Sequence, residues 1–104
     1  RLLNIYLVWL AVIVVGMAVS GAVFYIDSIS WLIGYLGVFW LFLMGLGHIA
    51  NGLVDPPAQE YYVSGGLQLL AGAACLVLPA LLDIQYIVAG LVGGLAMVWL
   101  ILYR

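Results

Sequence analysis

The sequence predicts an all-α integral membrane protein: four transmembrane helices in an up-down-up-down bundle joined by short loops. Three observations carry that prediction. Of the 104 residues, 69% are hydrophobic and only 6% are charged, so a water-facing surface would have almost nothing to hydrate it. The two basic residues are Arg1 and Arg104, no lysine occurs, and between them lie four continuous apolar runs, each near the roughly 20 residues that cross about 30 Å of hydrocarbon. The runs do not alternate polar and apolar residues, as barrel strands do over about 10 positions. Residues 1–104 therefore read as a single transmembrane domain with spans at about 2–26, 31–54, 61–78 and 84–103.

Each boundary has a local cause. Asp27-Ser28-Ile29-Ser30 breaks the first run with a short polar turn suited to a helical hairpin. The second run, from Trp31, ends at Asp55-Pro56-Pro57-Ala58-Gln59-Glu60. The two prolines remove amide donors and disfavour helix in the residue before them. The third run stops or bends around Leu78, leaving Pro79 to Asp83 as a turn before the fourth.

Four spans put both ends of the chain on one side. Arg1 and Arg104 make that side cytoplasmic by the positive-inside rule, with the Asp55–Glu60 loop on the same side and Asp27 and Asp83 opposite. Tyr6, Trp9, Tyr61, Tyr62, Trp99 and Tyr103 fall near one interface, and Tyr25, Trp31, Tyr35 and Tyr86 near the other, the level that amphipathic aromatics favour. Phe39, Trp40 and Phe42 fall near mid-membrane, facing lipid, the bundle core or a partner.

Thirteen glycines lighten the helices. Ala89, Gly90, Gly93 and Gly94 hold two overlapping small-xxx-small spacings on the last span, while Gly34 and Gly37, with Gly45 and Gly47, serve the second, and Gly65, Gly66 and Gly72 the third. Such stripes let helices approach closely, within one bundle or across subunits. The lone Cys75 reads as a small packing residue.

One polar constellation lies inside the spans. His48, Asn51 and Asp55 stand at helical steps on one face of the second span, and Glu60, Ser64 and Gln68 at steps of four on the third. In an antiparallel hairpin His48 and Gln68 reach a common depth of roughly 10–12 Å at 1.5 Å per residue. If the faces meet, His48, Asn51, Ser64 and Gln68 form a buried cluster with Asp55 and Glu60 at its mouth. As structure, the cluster would fasten the hairpin at about 0.6 kcal/mol per interhelical bond. As function, it would hold a proton, a quinone head group or a lipid head group, since buried polar groups in a membrane mark functional positions. A single histidine is a poor metal site; haem would need His48 alone or one His48 from each of two copies. Neither metal nor any cofactor is expected from spacing. No nucleophile elbow or oxyanion donor accompanies Ser64, so no catalytic site is expected.

Gly45-Leu46-Gly47-His48 followed by Ser64-Gly65-Gly66-Leu67-Gln68-Leu69-Leu70-Ala71-Gly72 resembles a stretch of DoxX-type membrane proteins, four-helix bundles with a late histidine in one span and an S-G-x-x-E-L-L-x-G pattern in the next. The overlap covers about a quarter of the chain. Gln68 stands where that pattern has glutamate, the linker is short, and a further span precedes the histidine helix. The resemblance implies a redox-associated or quinone-handling role for the cluster around His48.

The near absence of ionisable residues within the spans and the glycine-rich surfaces favour a structural or accessory subunit of a larger membrane assembly, packed against other membrane subunits or further copies of itself within the lipid bilayer. The DoxX-like redox or quinone/lipid-handling reading is the alternative. A channel or transporter fits less well, because the polar positions gather at one end instead of lining a path. A formal charge of −2 gives no basis for nucleic-acid binding.

Overall fold

The computed structural model describes residues 2–54 and 59–103. Every described element is helical: α1 is Leu2–Tyr25, a 3-10 segment follows over Asp27–Tyr35, then α2 Leu36–Val54, α3 Gln59–Val77, the short α4 Pro79–Asp83, and α5 Gln85–Tyr103. Two stretches, Leu3–Tyr25 and Asp27–Val54, are long and apolar enough to cross a membrane; Gln85–Leu100 is apolar but shorter. The polar residues Glu60, Ser64 and Gln68 lower the hydropathy of α3.

The run expected as one span from Trp31 is divided. Ile26 adopts an extended conformation (φ −110°, ψ 109°) and ends α1, and the chain then winds as nine residues of 3-10 helix before α2 begins. Such runs seldom exceed 3–4 residues because their hydrogen bonds are poorly aligned. This one is held from outside by the first turn of α5. Gln85 Nε2 donates to the Gly34 carbonyl, and Tyr86 Oη donates to the Ile33 carbonyl at 3.3 Å. Gln85 Oε1 in turn accepts from the Val38 amide at 3.2 Å, and its side chain lies where a Cβ at Gly37 would stand, 2.8 Å from Gln85 Cγ. Replacing Gln85 with leucine strips its own bonds to Gly34 and Val38 and leaves Val38 N–H unpartnered in the interior; the expected loss is about 1–3 kcal/mol in an unfolding titration in mixed micelles. A loss below about 0.5 kcal/mol would show that the clamp contributes nothing beyond packing.

The break between α3 and α5 follows the same logic. Leu78 is extended (φ −104°, ψ 110°), and Pro79 opens α4 at its first position, where a missing amide hydrogen costs nothing. Residues 79–83 therefore make a one-turn helix where the sequence suggests a turn.

Helix directions follow from which residues touch. Trp9 lies against His48, while Trp40 Nε1 donates to Ser20 Oγ at 3.0 Å, so α1 and α2 run antiparallel. A Cβ at Gly45 would meet Leu69, and one at Gly72 would meet Phe42, so α2 and α3 also run antiparallel. Gly37 faces Gln85 and Gly93 faces Met44, so α2 and α5 run parallel. In this arrangement α2 is central: α1 packs on it and on the 3-10 segment, while α3 and α5 pack on it and on each other. The molecule is flattened, 42 × 28 × 17 Å. Its apolar core is Val38, Leu41 and the free thiol Cys75, with Phe42, Ala71, Val88, Ala89 and Val92 around them. Two of the mid-chain aromatics pack against neighbouring helices: Trp40 fills a notch at Gly16, and Phe42 covers Gly72.

The expected packing residues divide into two groups. Gly37, Gly72 and Gly93 each face a neighbouring side chain, and Ala89 touches the core. Around Gly34, Gly90 and Gly94 a Cβ would meet nothing within 4 Å, so the Gly90–Gly94 spacing faces away from the rest of the chain. Among the glycines of the described residues, Gly45 and Gly65 come nearest to the backbone of a neighbouring helix, each to the carbonyl of the other.

Candidate functional site

The polar residues of α2 and α3 meet at the close Gly45–Gly65 crossing. His48, Asn51, Ser64 and Gln68 are all fully buried, at 0% exposure. Their depth follows from the glycines: with no side chain at Gly65, the helix backbones come near enough for Ser64 and Gln68, one turn apart, to reach the same imidazole. His48 Nδ1 is in hydrogen-bond contact with Ser64 Oγ, and Gln68 Nε2 donates to it at 3.1 Å. An amide nitrogen can only donate, so in this orientation Nδ1 is the acceptor and the ring proton sits on Nε2.

The centre does not satisfy itself. His48 Nε2, Gln68 Oε1 and both amide atoms of Asn51 are buried with no hydrogen-bond partner. Asn51 shares the face of His48 without bonding to it. Glu60 is buried one turn before Ser64 and has a partner of its own. Asp55, expected beside it at the mouth, lies outside the described residues.

Trp9 of α1 closes another side of the ring. Its indole meets the imidazole edge-on, with centroids 5.1 Å apart and planes at 80°. Sequence reasoning places Trp9 in an interfacial belt and misses this contact. The available signal is depth: Trp9 lies eight residues into α1 and His48 seven before Asp55, so antiparallel helices bring them to one level.

A cavity of about 340 Å³ adjoins the centre between α3 and α5. Its lining is Leu67, Val92, Leu95, Ala96 and Trp99, together with Ser64, the residue it shares with the centre. A second cavity of about 310 Å³, at Trp31, Tyr35, Phe39, Phe42 and Leu76, is apolar and lies at the other end of α2.

The chemistry available here is hydrogen bonding without charge. The described residues include no lysine or arginine and no group of three histidine, cysteine or acidic residues that could hold a metal ion. Ser64 sits inside a helix whose backbone amides bond one another, so those amides are not offered to its hydroxyl as oxyanion donors. What the site offers is a mixture of donors and acceptors in an apolar enclosure.

No family profile, curated protein or solved structure matches this chain. The likeness to DoxX-type proteins therefore rests on Gly45 to His48 and Ser64 to Gly72 alone.

Proposed function

We propose that this chain is a multi-pass membrane protein whose buried centre at His48 binds the polar end of a small lipophilic molecule of the quinone or lipid class. In this reading α1, the 3-10 segment with α2, α3 with α4, and α5 each span the bilayer, and both ends of the chain face the cytoplasm. Large apolar side chains exposed on every long helix support the membrane setting: Leu10, Ile13 and Met17 on α1, Leu46 and Leu53 on α2, Leu70 and Val77 on α3, Leu91 and Leu95 on α5.

The observation that carries the ligand reading is the set of four unpartnered polar atoms around a fully buried histidine. A fastener for a helical hairpin gains from bonds made, and each buried group left unbonded costs about 1–3 kcal/mol. A centre with spare donors and acceptors gives that stability up, as expected where a guest completes the bonding.

The test is to extract the protein in mild detergent, record its absorption spectrum, and identify by mass spectrometry what travels with it. A quinone or lipid in fixed ratio, lost in His48→Ala while helix content is kept, is the expected result. Identical small molecules with wild type and His48→Ala would overturn the reading.

A second reading, an accessory subunit of a larger membrane assembly, is favoured by the glycine stripe at Gly90 and Gly94 that faces open space. It is tested by size analysis of the same extract: co-purifying membrane subunits in constant ratio support it, and a monomer carrying nothing else removes it.

A further inference from the structure

We infer that Gln85 is a removable wedge at the start of α2: its carboxamide takes the place of one α-helical hydrogen bond, and its withdrawal lets α2 rewind through the 3-10 segment. The device is independent of the His48 centre, which lies toward the other end of α2.

An α-helix bonds each amide to the carbonyl four residues back. For Val38 that carbonyl belongs to Gly34. α2 begins only at Leu36, and the carboxamide of Gln85 stands between the two groups. Its Oε1 accepts from the Val38 amide at 3.2 Å, and its Nε2 donates to the Gly34 carbonyl. One side-chain amide thus answers a donor and an acceptor that would otherwise answer each other. A side chain inserted in this way is one of the few causes that break a helix sharply. Tyr86 Oη bonds the neighbouring Ile33 carbonyl at 3.3 Å, the group that the Gly37 amide would take in an α-helix. The wedge also has a seat. A Cβ at Gly37 would stand 2.8 Å from Gln85 Cγ and 3.1 Å from its backbone carbonyl carbon, so the buried Gln85 fits only because residue 37 has no side chain.

Both arrangements satisfy the backbone. With the wedge withdrawn, Gly34 and Val38 pair directly, and Gln85 Nε2 keeps its bond to the Leu82 carbonyl, 3.2 Å away in its own turn. Little packing opposes the change: no residue of the 3-10 segment and none of α4 is buried. Ile84, between α4 and α5, is non-helical (φ −112°, ψ 26°) and forms a joint about which the first turn of α5 tilts.

The size of the motion follows from the two helix types. A 3-10 helix rises about 2.0 Å and turns about 120° per residue, an α-helix about 1.5 Å and 100°. Rewinding the segment therefore draws Asp27 about 4–5 Å toward α2 and carries it about half a turn round the axis. Trp31 swings about 100°. Trp31 and Tyr35 line the apolar cavity with Phe39, Phe42 and Leu76, so that cavity loses a wall. Gln85 thus couples the position of α5 to the length of the helix beside it.

The experiment uses the full chain in phosphatidylcholine nanodiscs, in a Cys75→Ala background. Spin labels are attached at Ser28→Cys and Leu53→Cys, both exposed positions, and their separation is read by double electron–electron resonance. Gln85→Leu removes the wedge, and Gly37→Ala fills its seat with a helix-favouring methyl group. Each should shorten the separation by about 4 Å or more, because rewinding both shortens the segment and turns Ser28 to the side of Leu53. The Val38 amide that Gln85→Leu leaves unpartnered regains a partner only in this way. Tyr86→Phe, at an exposed side chain with little risk to folding, removes the second tie alone and should show both separations.

The single wild-type separation in Tyr86→Phe and in whichever wedge variants reconstitute would overturn the inference. A broadened distribution in the wedge variants, without the shorter peak, would overturn it as well: Gln85 then holds the segment against fraying, not against rewinding.

Discussion

Alanine at Gly65 is expected to destabilise the protein by about 3 kcal/mol, the upper part of the range for overpacked interiors, while alanine at Gly66, the next residue, is expected to be neutral or to stabilise by about 0.5–1 kcal/mol. The first expectation follows from what a methyl group would meet. A Cβ at Gly65 would stand 2.6 Å from the Gly45 carbonyl oxygen and 2.8 Å from Ile49 Cγ1, with His48 Cβ at 3.3 Å. One obstacle is backbone, so no rotamer change relieves it; α2 and α3 must move apart. Separation also draws Ser64 and Gln68 away from His48, so the packing loss and the polar loss arrive together. At Gly66 a Cβ meets nothing within 4 Å, and alanine only gains helix propensity. Both variants are read in one mixed-micelle unfolding titration. If Gly65→Ala lies within about 0.5 kcal/mol of Gly66→Ala, the crossing is not tight and the burial of the His48 centre needs another explanation.

The contrast between these neighbours shows where sequence reading stops. Adjacent glycines in one apolar helix are indistinguishable by composition, and only the crossing geometry separates them. The same limit explains the Gly90–Gly94 stripe, a clear spacing that in the structure touches no other part of this chain. Helical character was legible throughout, because long apolar runs interrupted by Pro79, by Asp27-Ser28 and by the Pro56-Pro57 pair admit few other solutions. The 3-10 segment was not: the side chains that tie it down, Gln85 and Tyr86, bond the carbonyls of Gly34 and Ile33 from about fifty residues away. In the site, the pairing of His48 with Ser64 and Gln68 was legible, since steps of three and four on two antiparallel helices leave only the facing angle open. Trp9 and the cavity were not, because both depend on how a third helix lies against that pair. Nor could spacing reveal that the Asn51 side chain shares the face of His48 yet bonds nothing. That failure of self-completion is the observation that moves the argument from packing toward a ligand.

Two substitutions in the centre should separate stability from loading. Gln68→Met keeps volume and removes the unpartnered Gln68 Oε1 together with the Nε2 bond to His48 Nδ1, which Ser64 Oγ still contacts. Folding stability should change by less than about 1 kcal/mol, or rise, as when a buried polar group gives way to an apolar one of similar shape. His48→Ala instead leaves Ser64 and Gln68 without their common partner and opens a hole under Trp9, so it should cost about 2–4 kcal/mol. Both variants should lose the co-purifying molecule, measured by mass spectrometry of equal amounts of folded protein. The informative case is Gln68→Met, because an unimpaired fold with an emptied site has no structural explanation. Should it instead cost more than about 2 kcal/mol and leave the bound molecules as they were, the centre is a hairpin fastener that tolerates its own unsatisfied atoms. A polar group that can be replaced at no cost to the fold has been retained for something else, and here that group lies against the one histidine of the chain.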